Sequence, residues 1–115
     1  MKLQNEGPSD PIVVLVTATN AEELAKLGHV VVDERLAACV TIVPSIRSIY
    51  RWEGDVHDEG EALGIIKMTR AALGTLQARW NEIHPYRVPE FLALSVDDGL
   101  PEYCRWIAEN TNGAG

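Results

Sequence analysis

The chain has 115 residues, 46% hydrophobic and 23% charged, enough for one globular domain and too few for two. Its formal net charge of −7, with ten scattered basic residues, excludes a nucleic-acid backbone as the main partner, because phosphate binding needs clustered Lys and Arg. The apolar runs are too short to span a bilayer, and the polar opening residues lack the apolar segment of a secretory signal. A cytoplasmic location with no membrane partner is the expectation.

Residues 1–11, with Gly7, Pro8 and Pro11, read as a flexible arm, residues 12–110 as a single domain, and residues 111–115 as a tail. The Val-rich run 12–17 has the look of a strand buried on both faces. Asn20 followed by Glu23 has the spacing of a helix N-cap with a carboxylate reaching back. Leu24, Leu27 and Val31 then recur at helical spacing, and the helix is expected to run to about Leu36.

From Val40 the period changes to two. Val40, Ile42, Pro44, Ile46, Ser48, Tyr50 and Trp52 fall on one face, with Thr41, Val43, Arg47, Ile49 and Arg51 on the other. Glu53-Gly54 makes a tight turn into a second strand over 55–69, giving a long β-hairpin. Pro44 needs a bulge or an edge position, since it cannot donate to a ladder.

Leu73, Leu76, Trp80 and Ile83 form one helical stripe, which Pro85 ends at or before His84. Residues 90–96 read as a strand and Asp97-Asp98-Gly99 as a turn. Pro101 suits the first position of a last helix, with Tyr103, Trp106 and Ile107 inward; Trp80 and Trp106 are expected in the core. The fold class is therefore α+β, a ferredoxin-like βαββαβ order with a long central hairpin and a C-terminal helix. Each hairpin strand of about 14 residues would be roughly 46 Å long, against a domain diameter of about 35 Å. The hairpin should overshoot its own domain and carry unpaired edges into solvent, which points to self-association.

Glu34-Arg35-Leu36-Ala37-Ala38-Cys39-Val40 resembles the stretch linking the first helix to the second strand in the CutA family of divalent-ion tolerance proteins. Pro44, Ser48-Ile49-Tyr50-Arg51-Trp52 and Gly54 resemble that family's hairpin, and Glu61 with Lys67-Met68-Thr69 its second strand. His84-Pro85-Tyr86-Arg87-Val88-Pro89-Glu90 looks like its most recognisable motif, and Tyr103 and Trp106 fit its last helix. The resemblance implies a homotrimer held by hairpin strands across subunits, and a PII-like architecture with ligand clefts between them. It also implies tolerance to copper and other divalent ions without an established enzymatic activity. Val16 occupies a place where some relatives carry a cysteine, which removes a soft ligand. Gly28 and Gly64 stand where larger residues are usual, so local packing is expected to be looser there.

Several side chains could carry chemistry. Cys39 is a soft donor for copper or zinc, or a small buried hydrophobe at a helix-to-strand junction; Cys104 reads as buried. The two cysteines have no CxxC spacing and suggest no disulfide framework. His84 could bind copper or zinc, or cap the end of its helix; His29 and His57 read as surface residues. Glu61 and Glu90 could hold a hard cation or do acid–base work, or pair with Lys67 or Arg87. Lys67 could instead bind an anionic ligand. Tyr50, Trp52 and Tyr86 could line a cleft or anchor an interface. No GxSxG elbow, Walker A or GxGxxG loop is present.

The expectation is a non-enzymatic homotrimer binding a divalent cation, copper first. Its ligand cleft would comprise Tyr50, Trp52, Glu61, Lys67, Tyr86 and Glu90, with His84 and Cys39 as metal ligands. A PII-like metabolite sensor or signalling scaffold is the alternative, and an enzyme using Glu61, Glu90 and His84 a third.

Overall fold

The computed structural model describes residues 7–111. The elements are β1 (Pro11–Ala18), α1 (Ala21–Asp33), β2 (Cys39–Trp52), β3 (Asp55–Thr69), α2 (Leu73–Ile83), β4 (Leu92–Ser95) and α3 (Pro101–Glu109), with a 3₁₀ turn at Arg70–Ala72 leading into α2. The four strands form one antiparallel sheet in the order β2-β3-β1-β4, the ferredoxin-like arrangement. Residues 1–6 of the expected arm and 112–115 of the expected tail lie outside the described residues. The rest of the arm is built in: Asp10 N–H donates to the Gly7 carbonyl, and Ala71 N–H to that of Pro8. Among the described residues no helix is long and apolar enough to cross a membrane.

Asn20 caps α1 through its Oδ1, which accepts the Glu23 N–H at 2.8 Å. The Glu23 carboxylate reaches back to the Thr19 N–H. The helix stops at Asp33, short of the expected Leu36. Arg35 adopts φ 61, its N–H bonds to the Val32 carbonyl, and the Leu36 N–H bonds to that of Val31. This pair of bonds closes a helix with a left-handed residue, a place where glycine is usual. Arginine there hides the stop signal from the sequence pattern.

The hairpin turn has φ 50 at Glu53 and φ 89 at Gly54, the positive-φ pair that matches the twist of two-residue hairpins. Pro44 does sit in a bulge: Val43 pairs with Leu63, but Ile46 pairs with Glu61, so β2 holds one extra residue. An extra residue swaps the faces of everything beyond it. Ala62, Gly64, Ile66 and Met68 of β3 are buried under the helices. Ile42 pairs with Gly64 and Val40 with Ile66, so both share that face. Past the bulge, Ile46, Ser48 and Tyr50 pair with Glu61, Glu59 and His57 and lie on the opposite face. The single even-numbered face expected for the whole of β2 is therefore broken at Pro44.

The core lies between one sheet face and α1 and α2. Val14, Val16, Leu24, Val31, Ile66, Met68, Leu76 and Trp80 are fully buried there. The glycine positions are not loosely packed. A Cβ on Gly64 would lie 2.7 Å from Val16 Cγ2, and one on Gly28 would lie 3.4 Å from Val40. The neighbours have filled the space. In α3, Cys104 and Ile107 face inward, whereas Tyr103 and Trp106 stay 45% and 41% exposed and stack on each other. Gly99 accommodates this packing, since a Cβ there would lie 2.7 Å from the Cys104 sulfur. The last strand is shorter than residues 90–96, because only Leu92–Ser95 pair with β1.

The face away from α1 and α2 is apolar where β1 meets β4. Val13 and Leu15 of β1 lie in register with Leu94 and Leu92 of β4 and, on the other side, with Lys67 and Ile65 of β3. Leu92 and Leu94 are 59% and 48% exposed. β1 pairs only with residues 62–69 of β3, so among the described residues the outer hairpin is a two-stranded ribbon. The molecule measures 43 × 26 × 22 Å, its length comparable to that of the hairpin.

Candidate ligand cleft

The bulge at Pro44 delivers Ser48, Tyr50 and Trp52 to the face that carries Glu59 and Glu61. Tyr50 donates its O–H to Glu59 Oε1 at 3.0 Å and stacks on His57 with ring centroids 5.3 Å apart. The bond to Glu59 raises the Tyr50 phenol above its ordinary range, because ionisation would place two negative charges together. On the other side of the ribbon, Arg47 holds Asp58 through two bonds of 2.7 and 2.6 Å.

The segment after α2 forms the second wall. Pro85 cannot continue the helix, and His84 leaves it with extended backbone. His84 is buried. Its Nδ1 accepts the Tyr86 N–H at 3.1 Å, so the ring proton is on Nε2, which donates to the Thr17 carbonyl at 2.8 Å. The ring also meets Tyr86 edge-on, with centroids 4.5 Å apart. Histidine therefore fixes the exit of α2 to the end of β1 and sets the angle of Tyr86.

Tyr86 spans the gap between the walls. Its O–H donates to Glu61 Oε2 at 2.9 Å, which leaves its oxygen to accept from Thr19 Oγ1 at 3.2 Å. Burial, with the Glu61 charge beside it, pushes the phenol up to about 12; the bond from Thr19 works against this. One step further on, Arg87 donates to Glu53 Oε1 at 3.0 Å, with its guanidinium 5.3 Å from the Trp52 ring centroid. The loop is thus fastened to the hairpin tip.

Between these walls lies a cleft of about 820 Å³. Tyr50, Trp52, Glu61, Tyr86 and Glu90 all line it. Five of the six expected cleft residues are therefore brought together. Burial holds the Glu90 carboxyl above its ordinary range, and the Glu61 charge adds to this. Lys67 is not part of the lining: it pairs with Cys39 across β2 and β3, and its ammonium bonds to Thr41 Oγ1. Cys39 lies at that same end of the sheet, half-buried, with its sulfur 3.6 Å from Thr41 Oγ1. Cys104 is buried, and both thiols are free. His84 has both ring nitrogens bonded to backbone. Among the described residues no three His, Cys, Asp or Glu side chains are grouped to hold one ion.

Thr19, Glu53, Glu59 and Arg87 also line the cleft and were not among its expected residues. Glu59 was findable, because it shares the two-residue period of Glu61. Arg87 pairs with Glu53, not with Glu90.

A family model described as CutA1 divalent ion tolerance protein matches residues 12–110. The divalent-cation tolerance protein CutA of Thermus thermophilus is 46% identical over 99 residues, covering 86% of this chain and 96% of that protein. A chloroplastic CutA protein of Arabidopsis thaliana is 45% identical over 100 residues, covering 87% of this chain but only 55% of its own length. The solved structure of the divalent cation tolerance protein from Thermus thermophilus superposes with a TM-score of 0.85 at 44% identity, covering 89% of this chain and 99% of that one. The chain belongs to the CutA1 divalent ion tolerance family.

Proposed function

We propose that this CutA1-family chain is a non-catalytic, cytoplasmic binding protein that works as a homotrimer and takes up a divalent cation in the cleft beside the hairpin. The observation that carries the site is the placement of Glu61 and Glu90 in one cleft, with Glu61 held by Tyr86. Two carboxylates supply hard oxygen donors, and water or a neighbouring subunit would complete the coordination shell. The cation reading rests on these carboxylates more than on His84, whose ring nitrogens already bond to backbone. Copper(II) remains the ion to titrate first, because it stands at the top of the usual divalent affinity order. Trimer formation is supported by the apolar sheet face around Leu92 and Leu94 and by the two-stranded outer ribbon, both of which a second chain would cover.

Native mass spectra during a copper(II) titration test both parts. A trimer that saturates at a fixed number of ions, and loses them in Glu61→Gln and Glu90→Gln, supports the site. Uptake that never saturates, or that survives both substitutions, rules the cleft out as the metal site; a monomer rules out the assembly.

A second reading is a small-metabolite sensor of PII-like architecture. The aromatic lining favours it, since Tyr50, Trp52 and Tyr86 offer more surface than a hydrated ion can use. It predicts that some small molecule raises the melting temperature more than any metal does.

A further inference from the structure

We propose that the ligand of this cleft is an organic cation, a flexible aliphatic amine of polyamine size, held between its aromatic wall and its carboxylates. The proposal rests on the small-ligand reading of the cleft and adds the chemical class.

Charge comes first. Among the described residues the lining carries the carboxylates of Glu53, Glu59, Glu61 and Glu90, and a single guanidinium, that of Arg87. Arg87 is already committed to Glu53. The one lysine proposed for an anion, Lys67, is not in the lining. The nearby start of α1 offers no substitute, because Asn20 already caps it and the Glu23 carboxylate sits over the Thr19 N–H. From this chain's own side chains a phosphate or a nucleotide would therefore meet acceptors where it needs donors, and an amine would meet acceptors where it needs them.

The aromatic wall has the matching chemistry. Trp52 already carries one cation over its ring face, the Arg87 guanidinium at 5.3 Å. Tyr50 and Tyr86 spend their O–H groups on Glu59 and Glu61, which aims those carboxylates and leaves lone pairs free to accept N–H groups. Burial, and after it the Glu61 charge, hold the Glu90 carboxyl above its ordinary range, and a bound ammonium would oppose both.

Size favours an amine over a hydrated metal ion alone. At about 30 Å³ of liquid volume per water, an ion with six waters fills roughly 200 Å³. The cleft offers about 820 Å³, within the range of small-molecule sites. Methylene segments between ammonium groups would pack on Trp52 and Val88, which lie on opposite walls of the lining.

The test is calorimetric titration of the full chain with spermidine as probe, beside ATP and magnesium, with circular dichroism and native mass spectra as controls on folding and assembly. Saturable binding of spermidine is expected. The affinity should fall at least about tenfold in Glu61→Gln, in Glu90→Gln and in Trp52→Leu, and far less in Trp52→Phe. Spermidine binding unchanged in the two glutamine variants would be diffuse attraction to an acidic protein and would overturn the proposal. ATP or magnesium binding that is lost in those variants, without spermidine binding, would overturn the amine class and leave the cleft standing. No saturable binding of any of the three would overturn the amine class and the small-ligand reading together.

Discussion

Gly64→Ala puts the packing of the core to a direct test. Gly64 faces α1 from the middle of β3, in register with Val16 on one side and Ile42 on the other. A Cβ there would lie 2.7 Å from Val16 Cγ2 and 3.3 Å from both δ carbons of Leu24. Carbon atoms prefer about 3.5–4.0 Å, so the worst contact is short by about 1 Å. The leucine tip can rotate away. Val16 cannot easily do so, because it is fully buried and branched at Cβ. Two terms oppose each other. Alanine restricts the unfolded chain, a gain of about 0.5–1 kcal/mol. Overpacking a filled core costs about 1–3 kcal/mol. The expected net effect is a loss of about 1–2 kcal/mol, read as a drop of several degrees in melting temperature or from urea unfolding. Protomer concentration is matched across the variants, because the stability of a chain that self-associates depends on concentration. Val16→Ala should partly rescue the variant: the double substitution should cost about 1 kcal/mol less than the sum of the singles. A Gly64→Ala protein as stable as the parent, or strict additivity in the double variant, would refute the filled-core argument.

Two further substitutions probe the cleft. His84→Ala should cost about 2–4 kcal/mol in urea unfolding, because it removes a buried ring and strands the Thr17 carbonyl and the Tyr86 N–H; metal uptake lost with stability intact would instead make the histidine a ligand. Tyr86→Phe should alter the alkaline limb of stability. Burial and the Glu61 charge push the folded phenol up to about 12, so the folded protein keeps a proton that the unfolded chain releases near pH 10. This contribution is whole below about pH 10 and fades as pH rises towards 12. Solvent on the open side of the cleft limits it to about 1 kcal/mol. The stability gap between parent and Tyr86→Phe should therefore narrow across that window, and a gap independent of pH would refute the assignment.

Much of the fold was legible because its signals are local. Asn20 with Glu23 marked the start of α1, Pro85 the end of α2, and Glu53-Gly54 the hairpin turn, and each does what its chemistry requires. The misses have physical causes too. Arg35 took a left-handed conformation that sequence patterns assign to glycine. Tyr103 and Trp106 share a helical face with Ile107, but α3 buries Ile107 beside Cys104, in the close approach that Gly99 allows, and leaves the two aromatics outside. Gly64 looked like a gap because a single chain position says nothing about which neighbours fill it.

The cleft was legible in part for a reason that lies in the strand itself. Period two puts Glu61 and Lys67 on the same face of β3, and chemistry makes both attractive as ligands. A face is a line of positions, though, and a cleft is local. Six residues along a strand is about 20 Å, so Lys67 lies far from Glu61 while sharing its orientation. The bulge at Pro44 works the other way. A strict alternation would put Tyr50 and Trp52 on the face of Val40 and Ile42, under the helices. The extra residue moves them to the face of Glu59 and Glu61, and only there can Tyr86 and Arg87 reach across to close a site. The residue that interrupts the ladder is the one that assembles the cleft, so the position of Pro44 says as much about the cleft as the side chains that line it.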